Sequence, residues 1–114
     1  MIPNNLLYNL DQLHDLSEGN QLFIDKMMAL FIELMPQIIS ELGIGLKEQN
    51  YQRIYAAAHK AKPSIDMMGI NSLKDTIRDL EKNALKDQNV DQIKPLIEKV
   101  SKIIEQVLIQ LRSR

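Results

Sequence analysis

A helical period that hardly stops is what most constrains this chain. Apolar residues recur at spacings of three and four almost throughout, and no stretch keeps the alternation of a half-buried strand. Only four glycines and four prolines interrupt the pattern. Stripes of this kind must be buried against one another, so the fold class is all-α. The 114 residues suffice for one core and not two, and a single domain over residues 1–114 is expected.

Five segments emerge. A short one, Asn5 to Leu16, carries Leu6, Leu7, Leu10 and Leu13 and is expected to cover one end of a bundle. DLSEGN follows as a turn, with Ser17 or Asn20 available as a cap. The second segment runs from about Asn20 to Gln49 on the stripe Ile24, Met27, Met28, Phe31, Leu34, Met35, Ile38, Ile39 and Leu42. A kink is expected at Pro36, and Gly43 and Gly45 weaken its last turns. The third starts near Asn50 with Ile54, Ala58, Ala61, Ile65 and Met68 in line, and Gly69 is placed to end it with Ile70 packed just beyond. The fourth, from a cap-like Asn71 to about Lys86, buries Leu73, Ile77, Leu80 and Ala84. After a turn at KDQN the fifth runs from about Val90 to Arg112, its first turns disturbed by Pro95. Four long amphipathic helices on short links predict an antiparallel up-down four-helix bundle with a short additional N-terminal helix.

Composition narrows the function. Fourteen basic residues against fifteen acidic ones give a net charge of −1, which offers no electrostatic reason to expect nucleic acid or an anionic membrane as partner. With no cysteine, disulfides, thiolate metal sites and cysteine nucleophiles are excluded. The longest apolar run, Met27 to Ile32, is far short of a membrane span, and the N-terminus lacks the pattern of a signal peptide. A cytoplasmic location is expected. No nucleophile elbow, P-loop or glycine-rich phosphate loop suggests a hydrolytic enzyme.

Two histidines remain. His14 sits in a polar-edged segment beside Asp11 and Asp15 and reads as a solvated surface residue. Neither histidine has metal-type spacing, so no metal site is expected. His59 follows the buried position Ala58, so it is turned about 100° around the helix from the core. Its neighbours at three and four residues are Tyr55, Ala56, Lys62 and Pro63. A neutral imidazole is a nucleophile near neutral pH without help from a strong base. A phosphoryl group on such a ring adds negative charge that Lys62, one turn on, can offset. Lys60 points elsewhere around the helix, although its long stem can swing nearer. Composition alone leaves an incidental surface histidine beside two lysines as the simpler alternative.

The surrounding string tips that balance. AAAHKAKPSIDMMGI, residues 56–70, resembles the motif of histidine phosphotransfer (HPt) domains, an Ala-His-Lys-x-Lys segment followed by a small residue and a serine. LSEGN at 16–20, the Pro36 break and LKDTIRDLEK at 73–82 look similar to the same family, so the resemblance covers essentially the whole chain. It implies a phosphocarrier in a His–Asp phosphorelay that takes a phosphoryl group from a receiver-domain aspartate and passes it to another receiver. Such a carrier neither binds ATP nor phosphorylates itself. No cofactor is implied here, since Mg2+ belongs to the receiver. The resemblance places the phosphorylated residue at His59 and supporting lysines at Lys60 and Lys62. It also places Glu81 where family members often put a Gln or Glu to hold the other imidazole nitrogen; a solvated carboxylate is the alternative. Response-regulator receivers are the implied partners, a hybrid sensor histidine kinase is a further candidate, and a monomer is the family expectation.

One position departs from the family. Many members have glycine four residues after the histidine, where this chain has Pro63. The missing amide predicts a bend or a water at the His59 carbonyl. Ser64 is a weak candidate donor to the phosphate. Tyr55, Pro63, Ser64 and Met67 are candidates for receiver docking, with exposed side chains of the second segment. The competing function is a non-catalytic helical adaptor in which His59 is incidental. Exposure separates the two, because a carrier needs an uncovered ring nitrogen.

Overall fold

The computed structural model describes residues 6–114. Its helices are α1 (Asp11–Ser17), α2 (Gln21–Glu48), α3 (Tyr51–Met67), α4 (Lys74–Lys82) and α5 (Val90–Arg112). A 3-10 turn, Asn71–Leu73, leads into α4, and a π turn, Asn83–Asp87, leads out of it. The four longer helices form an antiparallel ring in which α2 packs on α3, α3 on α4, α4 on α5 and α5 on α2. The chain is an all-α bundle with a short extra helix at its N-terminal end.

Asparagine starts three of the helices. The side chains of Asn20, Asn50 and Asn89 accept from the amides of Phe23 (3.3 Å), Arg53 (3.0 Å) and Asp91 (3.0 Å), satisfying donors that a helix start leaves over. The stripes meet in one core. Ile54, Ala58, Ala61, Ile65 and Met68 of α3 and its cap are all buried, facing Leu73, Ile77, Leu80 and Ala84 and the Ile93-to-Leu111 row of α5. The helices continue through Pro36, Pro63 and Pro95. Each proline removes one amide donor, and packing on either side holds the remaining turns.

The α3 terminus closes as the Gly69–Ile70 pair predicts. Gly69 takes φ +59, its amide donates to Asp66 O (3.1 Å), and Ile70 N donates to Ile65 O (3.1 Å) with the Ile70 side chain fully buried. Asn71 does not act as a cap: no side-chain cap bond forms, and the chain goes directly from this closure into the 3-10 turn. The first segment also differs from expectation. The predicted start at Asn5 lies outside the described residues, and helix begins only at Asp11. Upstream, Leu7 N donates to the Gln110 side chain (2.9 Å), Asn9 N donates to Met68 O (2.9 Å), and Tyr8 is buried. Amides bonded across the bundle cannot also build a helical turn.

Gly45 fixes the approach of α2 to α3. A Cβ there would lie 2.7 Å from Ile54 Cγ1 and 3.3 Å from the Ile54 amide nitrogen. Read alone, it is a weak point in a helix; in the fold it is where two backbones touch.

Candidate functional site

His59 stands on α3 turned away from the buried row, with its side chain 61% exposed. Two neighbours hold the ring. Its Nδ1 lies 2.5 Å from Glu81 Oε2, a carboxylate brought across from α4. Tyr55, one turn earlier on α3, stacks under the ring with centroids 5.7 Å apart and planes 12° from parallel. Lys62 completes the cluster, its Nζ donating to the other carboxylate oxygen, Glu81 Oε1, at 2.9 Å. One carboxylate thus ties a histidine and a lysine together.

Electrostatics settles the direction of the ring's hydrogen bond. Burial of the Glu81 side chain, 15% exposed, would raise its pKa, but the bonds from Lys62 and His59 outweigh burial and hold the carboxyl below its ordinary value of 4.5. Glu81 is therefore ionised near neutrality and can only accept. Nδ1 must carry the proton, and a neutral ring then keeps its lone pair on Nε2.

The same depression makes the bundle's stability acid-sensitive. A carboxyl whose pKa is lowered by folding stabilises the fold above its unfolded value and loses that contribution as pH falls through the folded value. Glu81→Gln is expected to cost roughly 1 kcal/mol at neutral pH, the low end for charge-assisted bonds because the cluster lies at the surface. The cost should shrink as pH falls below the ordinary carboxylate range and through the lowered folded value, where the wild-type carboxyl is protonated too. Thermal melts of both proteins across that range are the check; a gap that persists in acid would contradict the charge-based account.

Ion pairs brace α3 against both flanking helices. Arg53 grips Glu41 of α2 through Nε–Oε1 (3.0 Å) and Nη2–Oε2 (2.8 Å). Arg78 of α4 grips Asp66 through Nη1–Oδ1 (3.1 Å) and Nη2–Oδ2 (2.6 Å). His59 lies between these forks, so the stretch of helix that carries it is anchored on either side.

The structure therefore brings together His59, Glu81, Lys62 and Tyr55. Lys60 is exposed on the α2 side, where its charge acts on Glu41, and no bond joins it to the imidazole among the described residues. Pro63 is exposed on the turn after His59. Ser64 and Met67 face another way, into a groove of about 410 Å³ with Met27, Leu30, Leu34 and Gln37 of α2. The sequence places Met27 and Leu34 on the core stripe and offers the exposed side chains of this segment for docking without naming Leu30 or Gln37, yet a signal for the groove is there. Phe23, Met27, Leu30 and Leu34 form a second apolar row at spacings of four, three and four, and Phe23 and Leu30 remain 39% and 48% exposed. His14 is exposed, far along the chain from this cluster.

The described residues thus form a helical bundle with a surface histidine backed by a carboxylate and a lysine, and comparison with known families bears on it directly. A family model described as Hpt domain matches residues 26–113. The chain belongs to the Hpt domain family. No curated protein and no solved structure matches it. Membership gives this Hpt domain a phosphotransfer role in His–Asp phosphorelays, where such domains interact with receiver domains and kinases. The match takes in the whole His59 cluster and most of α2, and leaves α1 and His14 outside. No helix among the described residues is long and apolar enough to cross a membrane.

Proposed function

We propose that His59 is the phosphoryl acceptor of a relay carrier, taking the group from an aspartyl phosphate on a response-regulator receiver and giving it to the aspartate of another. The observation that carries this reading is the exposed imidazole whose Nδ1 is committed to an ionised Glu81. The Nε2 lone pair attacks phosphorus, the bond from phosphorus to the aspartate oxygen breaks, and the receiver leaves with a free carboxylate. Nδ1 keeps its proton throughout, so the phosphorylated ring is cationic and Glu81 lies against that charge. The reverse step needs only a second receiver carboxylate as nucleophile. Nothing in it requires ATP on this chain, and Mg2+ enters with the receiver.

Lys62 lies one turn from the ring and can shift part of its charge toward the new phosphate, while Lys60 supplies a further cation on the opposite side. The groove of Met27, Leu30, Leu34, Ser64 and Met67, with Pro63 nearer the histidine, is the surface we assign to the receiver. Transient signalling pairs use small patches of this kind. A monomer in the cytoplasm fits this role. The exposure of His59 favours the carrier over a helical adaptor, which has no use for an uncovered ring nitrogen.

Incubation with a phosphorylated receiver tests the proposal. The protein should acquire an acid-labile, base-stable phosphoryl group, and peptide mapping should place it in the segment containing residue 59. An unlabelled protein, or label stable to acid, would rule the reading out.

A further inference from the structure

Side chains on a helix lean toward its N-terminus, so each covers the turn before its own. His59 therefore leans over Tyr55 and Ala56, while Pro63 lies behind it on the following turn. What supports the ring from below is decided at position 55. There the chain has an aromatic ring, stacked at 5.7 Å and 12° and half-buried. The separation falls within the range in which aromatic pairs attract, and the near-parallel planes identify an offset stack.

We propose that Tyr55 is a positioning residue of the transfer reaction, a shelf that sets the plane of the His59 ring so that Nε2 faces the incoming phosphorus. The proposal rests on His59 being the acceptor. Two restraints are needed because they act on different motions. The Glu81 bond fixes one edge of the imidazole but leaves the ring able to tilt about the Nδ1–Oε2 line. The stack removes that tilt. Attack on phosphorus requires the lone pair to point along the bond being formed, so a tilting ring spends much of its time misdirected. The shelf contributes again after attack. The phosphorylated ring, protonated on Nδ1, is a cation lying within about 6 Å of an aromatic face, where such contacts are favourable. No hydrogen bond engages the Tyr55 hydroxyl among the described residues, so the ring carries this role and the phenol oxygen does not.

Three proteins test it: wild type, Tyr55→Phe and Tyr55→Leu, with Tyr55→Met in reserve should the leucine variant fail to fold. Proton NMR of the His59 ring reports the stack without any phosphate. Its carbon-bound protons should shift upfield in wild type and Tyr55→Phe and lose that shift in Tyr55→Leu. Transfer from a phosphorylated receiver should then fall about tenfold at saturating receiver in Tyr55→Leu, with half-saturation unchanged, and Tyr55→Phe should restore the rate. A Tyr55→Leu protein that transfers at the wild-type rate at saturation overturns the proposal. So does one that only needs more receiver, which would make Tyr55 a docking residue, or a Tyr55→Phe protein as slow as the leucine variant. A wild type that takes no label sinks the assignment of His59 and the proposal with it; a labelled wild type with an indifferent Tyr55→Leu sinks the proposal alone.

Discussion

His59→Gln should take no phosphoryl group from a receiver that labels the wild type. Glutamine keeps an amide that can donate to Glu81, so the carboxylate is not stranded, but it offers no nucleophilic ring nitrogen. The fold should hardly notice. The replaced side chain is mostly solvent-exposed and belongs to no buried row, and such substitutions usually change stability by no more than about 0.5 kcal/mol. Melting curves should therefore overlay while labelling falls to background. His14→Gln is the reciprocal control, since His14 is the one other histidine in the chain and lies outside the family match. It should label normally. Label that survives the His59→Gln substitution and disappears with His14→Gln would move the acceptor to α1.

The glycines predict the largest change in stability. Gly69→Ala places a Cβ in a left-handed conformation and drives it onto the Asn9 carbonyl oxygen, with Asn9 Cβ only 2.8 Å away. The conformational part costs about 1–2 kcal/mol. Displacing Asn9 also threatens its 2.9 Å bond to Met68 O, worth about 1 kcal/mol. Together these give about 2–3 kcal/mol, or roughly a 10 °C fall in Tm for a chain of this size. Two other glycines separate the contributions. Gly19 also has positive φ, +80, but nothing lies within 4 Å of its missing Cβ, so alanine there should cost only the conformational part, about 1 kcal/mol. Gly43 is helical with open space around it, and alanine should stabilise by about 0.5–1 kcal/mol. Thermal or denaturant unfolding of the three variants checks the order. Equal losses at 19 and 69 would mean that the Asn9 contact carries no weight.

Most of this fold was legible because helix stripes are written locally. The α3 row from Ile54 to Met68 and its Gly69–Ile70 closure could be read off spacing, and so could the extent of α5. What escaped notice depends on distant partners. Leu6 to Leu10 has helical spacing, yet its amides bond to Gln110 and Met68, residues brought near only by the finished bundle. Gly45 looked like a defect because a sequence does not show Ile54 against its backbone. In the site, His59 stood out by its position beside Ala58. Tyr55 was noticed as its neighbour one turn back, but spacing alone could not tell a stacked ring from one turned outward to a partner. The bond that His59 donates to Glu81 joins residues on different helices, so resemblance suggests it and geometry alone can supply its length.

The contact at Gly45 also bears on a region it never reaches. With the Arg53–Glu41 fork beside it, it clamps α2 and α3 at the end where Gln49 and Asn50 join them. Toward the far end of the pair, past His59, the two helices leave room for the Met27–Met67 groove. A helix pair clamped at one end amplifies angle with distance, as the jaws of a caliper do. A bulkier residue at 45 would act as a shim, splaying the jaws and altering the fit of whatever they grip without touching either the ring or the gripped surface.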